Sequence, residues 1–265
     1  MGQLIALGVL ILLQNTLSEA ALESWGWRIP FFIGAGLAIV VFWIRRGIEE
    51  SESWKNRGQD RAHTMGLFAR HPRETAIIMA LTAAGSLSFY AYTTYMQKYL
   101  VNTAGFARNT ATEITAAALI CFMLAQPLFG WFSDRLGRKP MLIAAFGIGA
   151  AIAYPVFTAI ARTDDPITAF LLILAPLMVL SAYTSISAVV KAELFPAHVR
   201  ALGVALPYAL ANALFGGTAE YVALWFKEEG VEAVFFLYIA AIATVALLVS
   251  IFMRDTQRKS LILED

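Results

Sequence analysis

Long apolar segments alternate with short polar segments along most of the 265-residue chain. Each apolar segment is about 20 residues long, which is roughly the length of an α-helix that crosses a lipid bilayer. Helices are expected because no other open structure satisfies its backbone polar groups within lipid. The pattern therefore predicts an all-α polytopic membrane protein with eight membrane-spanning helices, at approximately residues 2–17, 29–45, 75–100, 111–132, 140–161, 167–190, 201–226 and 232–253.

Composition supports a membrane protein and narrows the possible functions. The chain is 59% hydrophobic and 15% charged, whereas soluble domains are about 45–50% apolar and about 25% charged. Its net charge of +1 provides no basic field of the kind that attracts nucleic acid. The single cysteine, Cys121, lies inside an apolar segment, and the sequence holds no metal-binding cysteine and histidine pattern. It also holds no Ser/His/Asp constellation, P-loop or dinucleotide fingerprint, so nothing supports an enzyme, a cofactor or nucleotide-driven transport.

Lysine and arginine are concentrated on one side of the predicted membrane. Most of them fall in four segments, 46–74, 133–139, 191–200 and 254–265, whereas the opposite loops hold only Arg28, Arg108, Arg162 and Lys227. Cytoplasmic loops carry such an excess of cations, so both ends of the chain are predicted to face the cytoplasm.

The polar segment 46–74 is the longest break between apolar segments and is predicted to be a cytoplasmic linker. It separates two spans within residues 1–45 from six spans within residues 75–253, and a cytoplasmic tail follows at 254–265. Six helices make a natural half of a transporter that is built from repeats, whereas two helices do not. The first predicted span is also short and starts at residue 2. We therefore expect the sequence to represent about the last two-thirds of a larger protein.

A short charged turn separates the fourth and fifth predicted spans, in the sequence GWFSDRLGRKP at residues 130–140. Its glycine and charged positions are Gly130, Asp134, Arg135, Gly137, Arg138 and Lys139. Gly137 can adopt a positive φ where the chain reverses, and Asp134 can pair with an arginine or with the positive end of a helix. Such a cluster can latch two helix bundles on one face of the membrane. The simpler interpretation is a turn whose cations only fix orientation.

This turn resembles the G-x-x-x-D-R-x-G-R-K loop signature of the major facilitator superfamily, in the copy between helices eight and nine of a twelve-helix fold. The segments 25–54, 89–106, 181–196 and 192–226 resemble the metabolite:proton symporter branch of that family. On this resemblance the eight predicted spans are helices five to twelve, and the first-half copy of the signature lies outside the sequence.

The resemblance implies a secondary transporter of a bacterial-type inner membrane that imports α-ketoglutarate or a similar dicarboxylate together with protons, by alternating access. Citrate, shikimate or a betaine are alternative solutes within the branch. A non-transporting fragment, or a membrane scaffold or sensor that reuses the bundle, are alternatives from other classes. The sequence indicates no oligomeric state.

The third predicted span contains a polar and aromatic sequence, SFYAYTTYMQKYL, at residues 88–100. Tyr90, Thr94 and Gln97 follow helical spacing, and so do Tyr95 and Lys98. The resemblance makes this span helix seven, which lines the central cavity, so Tyr90, Thr94 and Lys98 are candidates for binding the substrate. Lys98 can attract a carboxylate, or its long side chain can reach the lipid headgroups.

Two further spans carry polar residues on one helical face. Tyr183, Ser187 and Lys191 are spaced four residues apart, and the first two are candidates for binding, whereas Lys191 is interpreted as an orientation charge at the cytoplasmic end. In the next span Asn212 is a candidate for binding. Glu220 is the only acidic residue well inside a predicted span, so it should be paired or protonated. We expect it to pair with Lys98, either as a proton-linked gate or as a fixed ion pair.

Arg28 lies between Trp27 and Pro30 at the start of the second predicted span. Its fork of donors can bind a carboxylate in a bidentate manner, or it can simply flank the span. The W-G-W-R-I-P-F sequence resembles the family pattern, which supports the binding role beside the simpler one. His63, His71 and His198 all fall in predicted cytoplasmic segments, so none is expected to relay protons at the middle of the membrane.

Overall fold

A computed structural model describes residues 2–46 and 70–255 of the chain. All regular secondary structure in these two ranges is helical. The described residues divide into two compact units, one within Met1–Ala62 and one within His63–Asp265. Most of the predicted linker 46–74, including His63, and residues 256–265 of the predicted tail lie outside the described residues, as does the side chain of His198.

The first unit contains the helices α1 (Gly2–Thr16), α2 (Glu19–Ser24) and α3 (Ile29–Arg46), with a short 3₁₀ turn at Gly26–Arg28. Ser18 caps α2, because its hydroxyl oxygen accepts a hydrogen bond from the backbone N–H of Ala21 at 3.3 Å. No residue of α3 is buried within the described chain, which suits an apolar helix that meets lipid or other helices along its length.

The second unit is a helical bundle that contains nine α-helices within the described residues 70–255. These are α4 (Pro72–Tyr90), α5 (Met96–Asn102), α6 (Arg108–Leu136), α7 (Arg138–Ile160), α8 (Pro166–Thr184), α9 (Ser187–Glu193), α10 (Ala197–Ala211), α11 (Ala219–Glu228) and α12 (Ala233–Phe252). Helix α7 packs against α8 and α12, and α4 packs against α10 and α12.

Seven helices in the described residues are long and apolar enough to cross a membrane. They cover Gly26–Arg46, Pro72–Asn102, Arg108–Leu136, Arg138–Ile160, Pro166–Glu193, Val199–Glu228 and Ala233–Phe252. The polytopic all-α fold is therefore confirmed, but the predicted count of eight is not. Helix α1 has only 15 residues, which at 1.5 Å per residue gives about 22 Å, short of a hydrocarbon core of about 30 Å.

An aromatic cluster joins α5, α7 and α12 and forms the centre of the second unit. The rings of Phe157 and Phe236 stack at 4.5 Å with an interplanar angle of 4°. Tyr99 contacts both rings edge-on and donates a hydrogen bond to the Phe157 carbonyl oxygen at 2.9 Å. Tyr95 is also fully buried. These two tyrosines therefore pack in the core of the second unit.

Three of the membrane-spanning helices are interrupted, which the apolar pattern did not predict. A π-helical segment at Ala91–Tyr95 separates α4 from α5, and a second at Asn212–Gly216 lies between α10 and α11. Helices α8 and α9 are separated by a turn at residues 185–186. Short π segments within α-helices occur frequently at functional sites, and broken helices form the binding sites of many transporters.

Candidate functional site

A cavity of about 240 Å³ opens in the second unit where the three interrupted helices meet. It is lined by Gly85, Ser86, Phe89, Tyr90, Tyr183, Thr184, Ser187, Lys191, Tyr208 and Asn212. The cavity therefore brings together four of the residues predicted as candidates, namely Tyr90, Tyr183, Ser187 and Asn212.

Two glycines make room for the tyrosines of this cavity. An ideal Cβ atom at Gly85 would lie 2.0 Å from Cε1 of Tyr183, and one at Gly216 would lie 2.8 Å from Cε2 of Tyr90. Both distances are shorter than real Cβ contacts. Each tyrosine ring therefore lies directly against a helix backbone, and a side chain at either glycine would push the ring away.

Hydrogen bonds between helices hold the polar side chains of the cavity in place. The Ser86 hydroxyl donates to Oδ1 of Asn212 at 2.7 Å and so links α4 to the second π segment. Thr184 donates to Oε1 of Gln126 at 2.9 Å, and Nε2 of Gln126 donates to the Ser181 hydroxyl at 3.1 Å. Gln126 was not a predicted site residue. The one feature of the sequence that points to it is its polar amide side chain within the apolar segment 111–132.

Lys191 carries a positive charge in the wall of the cavity. The residue is only 3% exposed, and its Nζ atom lies 4.6 Å from the ring centroid of Tyr208 and 5.5 Å from that of Tyr183. Two aromatic faces thus hold Nζ of Lys191 inside the bundle, and the interpretation of Lys191 as an orientation charge at the cytoplasmic end stays a prediction. Its four-residue spacing from Ser187 and Tyr183 was the signal for this placement. A cation beside hydroxyl and amide donors can bind a carboxylate.

Thr94 and Lys98 do not line this cavity. Thr94 is exposed, and Lys98 borders a different cavity of about 410 Å³ together with Gln97, Val101, Asn102, Arg108 and Leu224. The π segment at Ala91–Tyr95 explains why Thr94 and Lys98 do not line the cavity with Tyr90. In its wider turn, residues four positions apart no longer lie on the same helical face. Lys98 forms an ion pair with Glu220, as predicted. The side chains are 50% and 31% exposed, so the pair is only partly shielded from its surroundings.

A second polar cluster near the ion pair surrounds Glu232, at the start of α12. The Tyr95 hydroxyl donates to Oε1 of Glu232 at 2.7 Å, and the Thr103 hydroxyl donates to the same oxygen at 3.0 Å. Nζ of Lys227 lies 3.8 Å from Oε1 of Glu232 and donates to the Thr103 hydroxyl at 2.5 Å. The cluster around Glu232 could not be predicted from spacing, because its residues come from four separate segments of the chain.

The charged turn between α6 and α7 adopts the predicted geometry at Gly137, whose φ is +98°. Nη1 of Arg138 lies 2.9 Å from Oδ1 of Asp134 and donates to the Ser133 hydroxyl at 3.3 Å. Nε of Arg138 lies 3.6 Å from Oε1 of Glu193, which is buried at the end of α9. The turn therefore joins three helices through one arginine.

Two other cations of this turn have different partners. The guanidinium of Arg135 lies 3.8 Å from the ring centroid of Trp131, within cation–π distance. Nζ of Lys139 donates to the Met253 carbonyl oxygen at 3.0 Å, just beyond α12, where a cation is favoured by the helix dipole. A Cβ atom at Gly130 would meet nothing within 4 Å.

Arg28 is exposed on the first unit. Its guanidinium lies 4.4 Å from the ring centroid of Trp27, and Nη1 donates to the Ser24 carbonyl oxygen at 2.7 Å. These contacts orient the side chain and leave other donors of the guanidinium for a ligand, since arginine carries five N–H groups. Its predicted role in binding stays a prediction.

Comparison with known proteins places the chain in a family. The sequence profile of the Major Facilitator Superfamily matches residues 4–206 and 104–264. The chain is 49% identical to the alpha-ketoglutarate permease of Escherichia coli (strain K12), over 95% of the chain and 58% of that protein. It is 28% identical to the glycine betaine/proline/ectoine/pipecolic acid transporter OusA of Dickeya dadantii (strain 3937), over 98% of the chain and 54% of that protein. It is 29% identical to the citrate-proton symporter of Salmonella typhi, over 77% of the chain and 48% of that protein.

The chain thus spans about half the length of the curated relatives that it matches. No solved structure gives a significant match. All three relatives are named as a permease, a transporter or a symporter, and none of the three is named as an enzyme. The resemblance inferred from the charged turn is also confirmed: the chain belongs to the major facilitator superfamily.

Proposed function

We propose that the chain acts in the import of α-ketoglutarate or a similar dicarboxylate, coupled to protons, by alternating access. The 49% identity to a protein named alpha-ketoglutarate permease supports the substrate class. The concentration of lysine and arginine in four segments supports an orientation with the charged turn and both ends of the chain in the cytoplasm.

The cavity around Lys191 is the observation that carries this proposal. Lys191 supplies a positive charge, Tyr90 and Tyr183 supply hydroxyl groups, and Asn212 supplies an amide. A charge-assisted hydrogen bond from a lysine is among the stronger contacts to a carboxylate, and its strength rises where water is excluded. Arg28, on the first unit, stays a separate candidate for binding a carboxylate, because its exposed donors can form a bidentate contact.

A betaine or another zwitterion is the second candidate, since OusA is named as a transporter of glycine betaine. Aromatic rings bind quaternary ammonium groups well, and Tyr183 and Tyr208 both border the cavity. However, Nζ of Lys191 already occupies a face of each of these rings. The same amine, once protonated, can bind a carboxylate, so this cavity favours an anion.

The ion pair of Lys98 and Glu220 is proposed as a gate on the opposite face from the charged turn. It links the span Pro72–Asn102 to the span Val199–Glu228. Both of these spans also meet at the cavity, through Ser86 and Asn212. Protonation of Glu220 would break the charge attraction and so allow the two spans to separate at this end.

Uptake of labelled α-ketoglutarate by cells that express the chain tests the proposal. It is measured beside a form extended upstream by the four helices that a twelve-helix fold implies, with and without a proton-collapsing ionophore. The Lys191→Met variant is expected to lose uptake, whereas Lys227→Met, which removes a lysine far from the cavity lining, is expected to retain it. Equal uptake by the two variants would contradict the proposal. Inhibition of the uptake by excess betaine, but not by excess unlabelled citrate or α-ketoglutarate, would also contradict it.

A further inference from the structure

Lys191 is a buried cation for which the described residues provide no carboxylate. Its Nζ atom lies over the rings of Tyr208 and Tyr183. None of the ion pairs among residues 2–46 and 70–255 includes Lys191. Among the lysines and arginines of this part of the chain Lys191 is the buried one, whereas the Lys98 pair is partly exposed and the Arg138 cluster contains two carboxylates.

The titratable groups that face Lys191 are tyrosines. Helix α4 contributes Tyr90, α8 contributes Tyr183 and α10 contributes Tyr208 to the same cavity. Tyrosine hydroxyls are uncharged at neutral pH, so they give no counter-charge. The nearest carboxylate in the sequence, Glu193, is held by Arg138 at 3.6 Å.

An empty cavity and a filled cavity therefore favour different protonation states of this amine. Burial disfavours an ammonium that has no counter-ion, and the two ring faces offset only part of that cost. A carboxylate that enters the cavity supplies the missing charge and favours the ammonium. Binding of the anion and uptake of a proton are thus linked at one side chain.

We propose that Lys191 carries the proton that is transported with the carboxylate, an inference that rests on the proposed function of this cavity. On the loading side, the neutral amine of Lys191 accepts one proton from water as the carboxylate binds, and an ammonium–carboxylate pair forms. On the opposite side the carboxylate leaves, and the ammonium returns its proton to water. One N–H bond forms and the same bond breaks, so each cycle moves one anion and one proton.

Isothermal titration of α-ketoglutarate into the purified chain, in buffers that differ in ionisation enthalpy, measures the protons bound with each ligand. We expect a scan of the pH to find a range in which uptake approaches about one proton per ligand. Lys191→Arg keeps a permanent charge, so it should bind the ligand without net proton uptake. Lys227→Arg is the matched control and should take up protons as the wild type does. Melting temperatures verify that both variants are folded.

The wild-type titration tests the inference even if the Lys191 variant does not fold. Ligand binding without proton uptake would overturn the inference and leave the proposed function intact. Unchanged uptake in Lys191→Arg together with its loss in Glu220→Gln would also overturn it and would assign the proton to Glu220. Absence of any dicarboxylate binding by the wild type would contradict the proposed function, and the inference with it.

Discussion

Replacement of Gly85 by alanine tests the construction of the cavity directly. The new methyl group would lie 2.0 Å from Cε1 of Tyr183 and 2.7 Å from Cζ. Ordinary van der Waals contact begins at 3.4 Å. The ring must therefore retreat by about 1.4 Å, the difference between 2.0 Å and 3.4 Å, or the helix backbone must move by the same distance.

The surroundings of Tyr183 decide how much this displacement costs. Tyr183 is 4% exposed, and the ring of Phe146 packs against it at a centroid distance of 5.1 Å. Overpacking of a filled core costs about 1–3 kcal/mol. Alanine also favours a helix over glycine by up to about 1 kcal/mol. Gly149→Ala in α7 is the matched control, because its Cβ would meet nothing within 4 Å. The difference in unfolding free energy between the two variants should therefore be about 1–3 kcal/mol.

Two measurements check this prediction. Unfolding of each purified variant in detergent should show that Gly85→Ala is the less stable of the pair, and titration with α-ketoglutarate should show weaker binding only in Gly85→Ala. The weaker binding follows because the displaced ring of Tyr183 changes both the cavity and the position of Lys191. If the two variants melt together and bind equally, the contact between Gly85 and Tyr183 is not a constraint on the cavity.

Three further predictions concern charged residues outside the cavity. Glu193→Gln should destabilise the second unit by about 1–3 kcal/mol in detergent unfolding, because the partly buried Arg138 loses a charged partner. A double-mutant cycle of Lys98→Gln and Glu220→Gln should give a coupling below about 1 kcal/mol, because the pair is partly exposed. A side-chain hydroxyl and backbone N–H groups in the first turn of α8 lower the pKa of Asp165. Its contribution to stability is therefore present at neutral pH and is lost as the pH falls below about 4.

Each of these predictions has an outcome that would contradict it. A Glu193→Gln variant that unfolds like the wild type would show that Arg138 does not depend on that carboxylate. A coupling of several kcal/mol for Lys98 and Glu220 would show that the pair is shielded from water and salt. For the acid effect, the control is Asp165→Asn, whose melting temperature should fall less between pH 5 and pH 3 than that of the wild type (about the range in which an aspartate titrates). Parallel curves would exclude Asp165 as a source of the acid effect.

Features that depend on local sequence could be predicted. Apolar segments of about 20 residues gave the helical spans, because backbone groups in lipid must be satisfied within each segment. Gly137 was expected to adopt a positive φ because two helices reverse direction within a few residues, and it does. The pair of Lys98 and Glu220 was expected from their similar depth in two spans, and the structure contains it.

Features that depend on contacts between distant segments could not be predicted in the same way. The burial of Lys191 depends on Tyr208, which belongs to another helix, whereas its place at the end of an apolar segment indicated only an orientation charge. Thr94 is exposed because it lies in a π segment whose other four residues are buried. The pattern of apolar and polar positions does not distinguish such a segment from the α-helix around it. Gln126 links α6 to α8 by hydrogen bonds with Ser181 and Thr184, and these contacts depend on the packing of the two helices.

The three helix interruptions divide the spans of the second unit into continuous ones and segmented ones. Helices α6, α7 and α12 run without a break, and the stacked rings of Phe157 and Phe236 fix α7 to α12. The breaks in the other three spans fall at or beside Tyr90, Thr184 and Asn212, all of which line the cavity. A π segment or a turn lacks the regular i→i+4 hydrogen bonds of an α-helix, so it bends at lower cost than the helices beside it. A ligand that binds in the cavity therefore contacts the places where the spans deform most easily, while the aromatic cluster keeps the remainder of the bundle rigid. We expect hydrogen exchange in detergent to be fastest at the two π segments and to slow there when α-ketoglutarate binds.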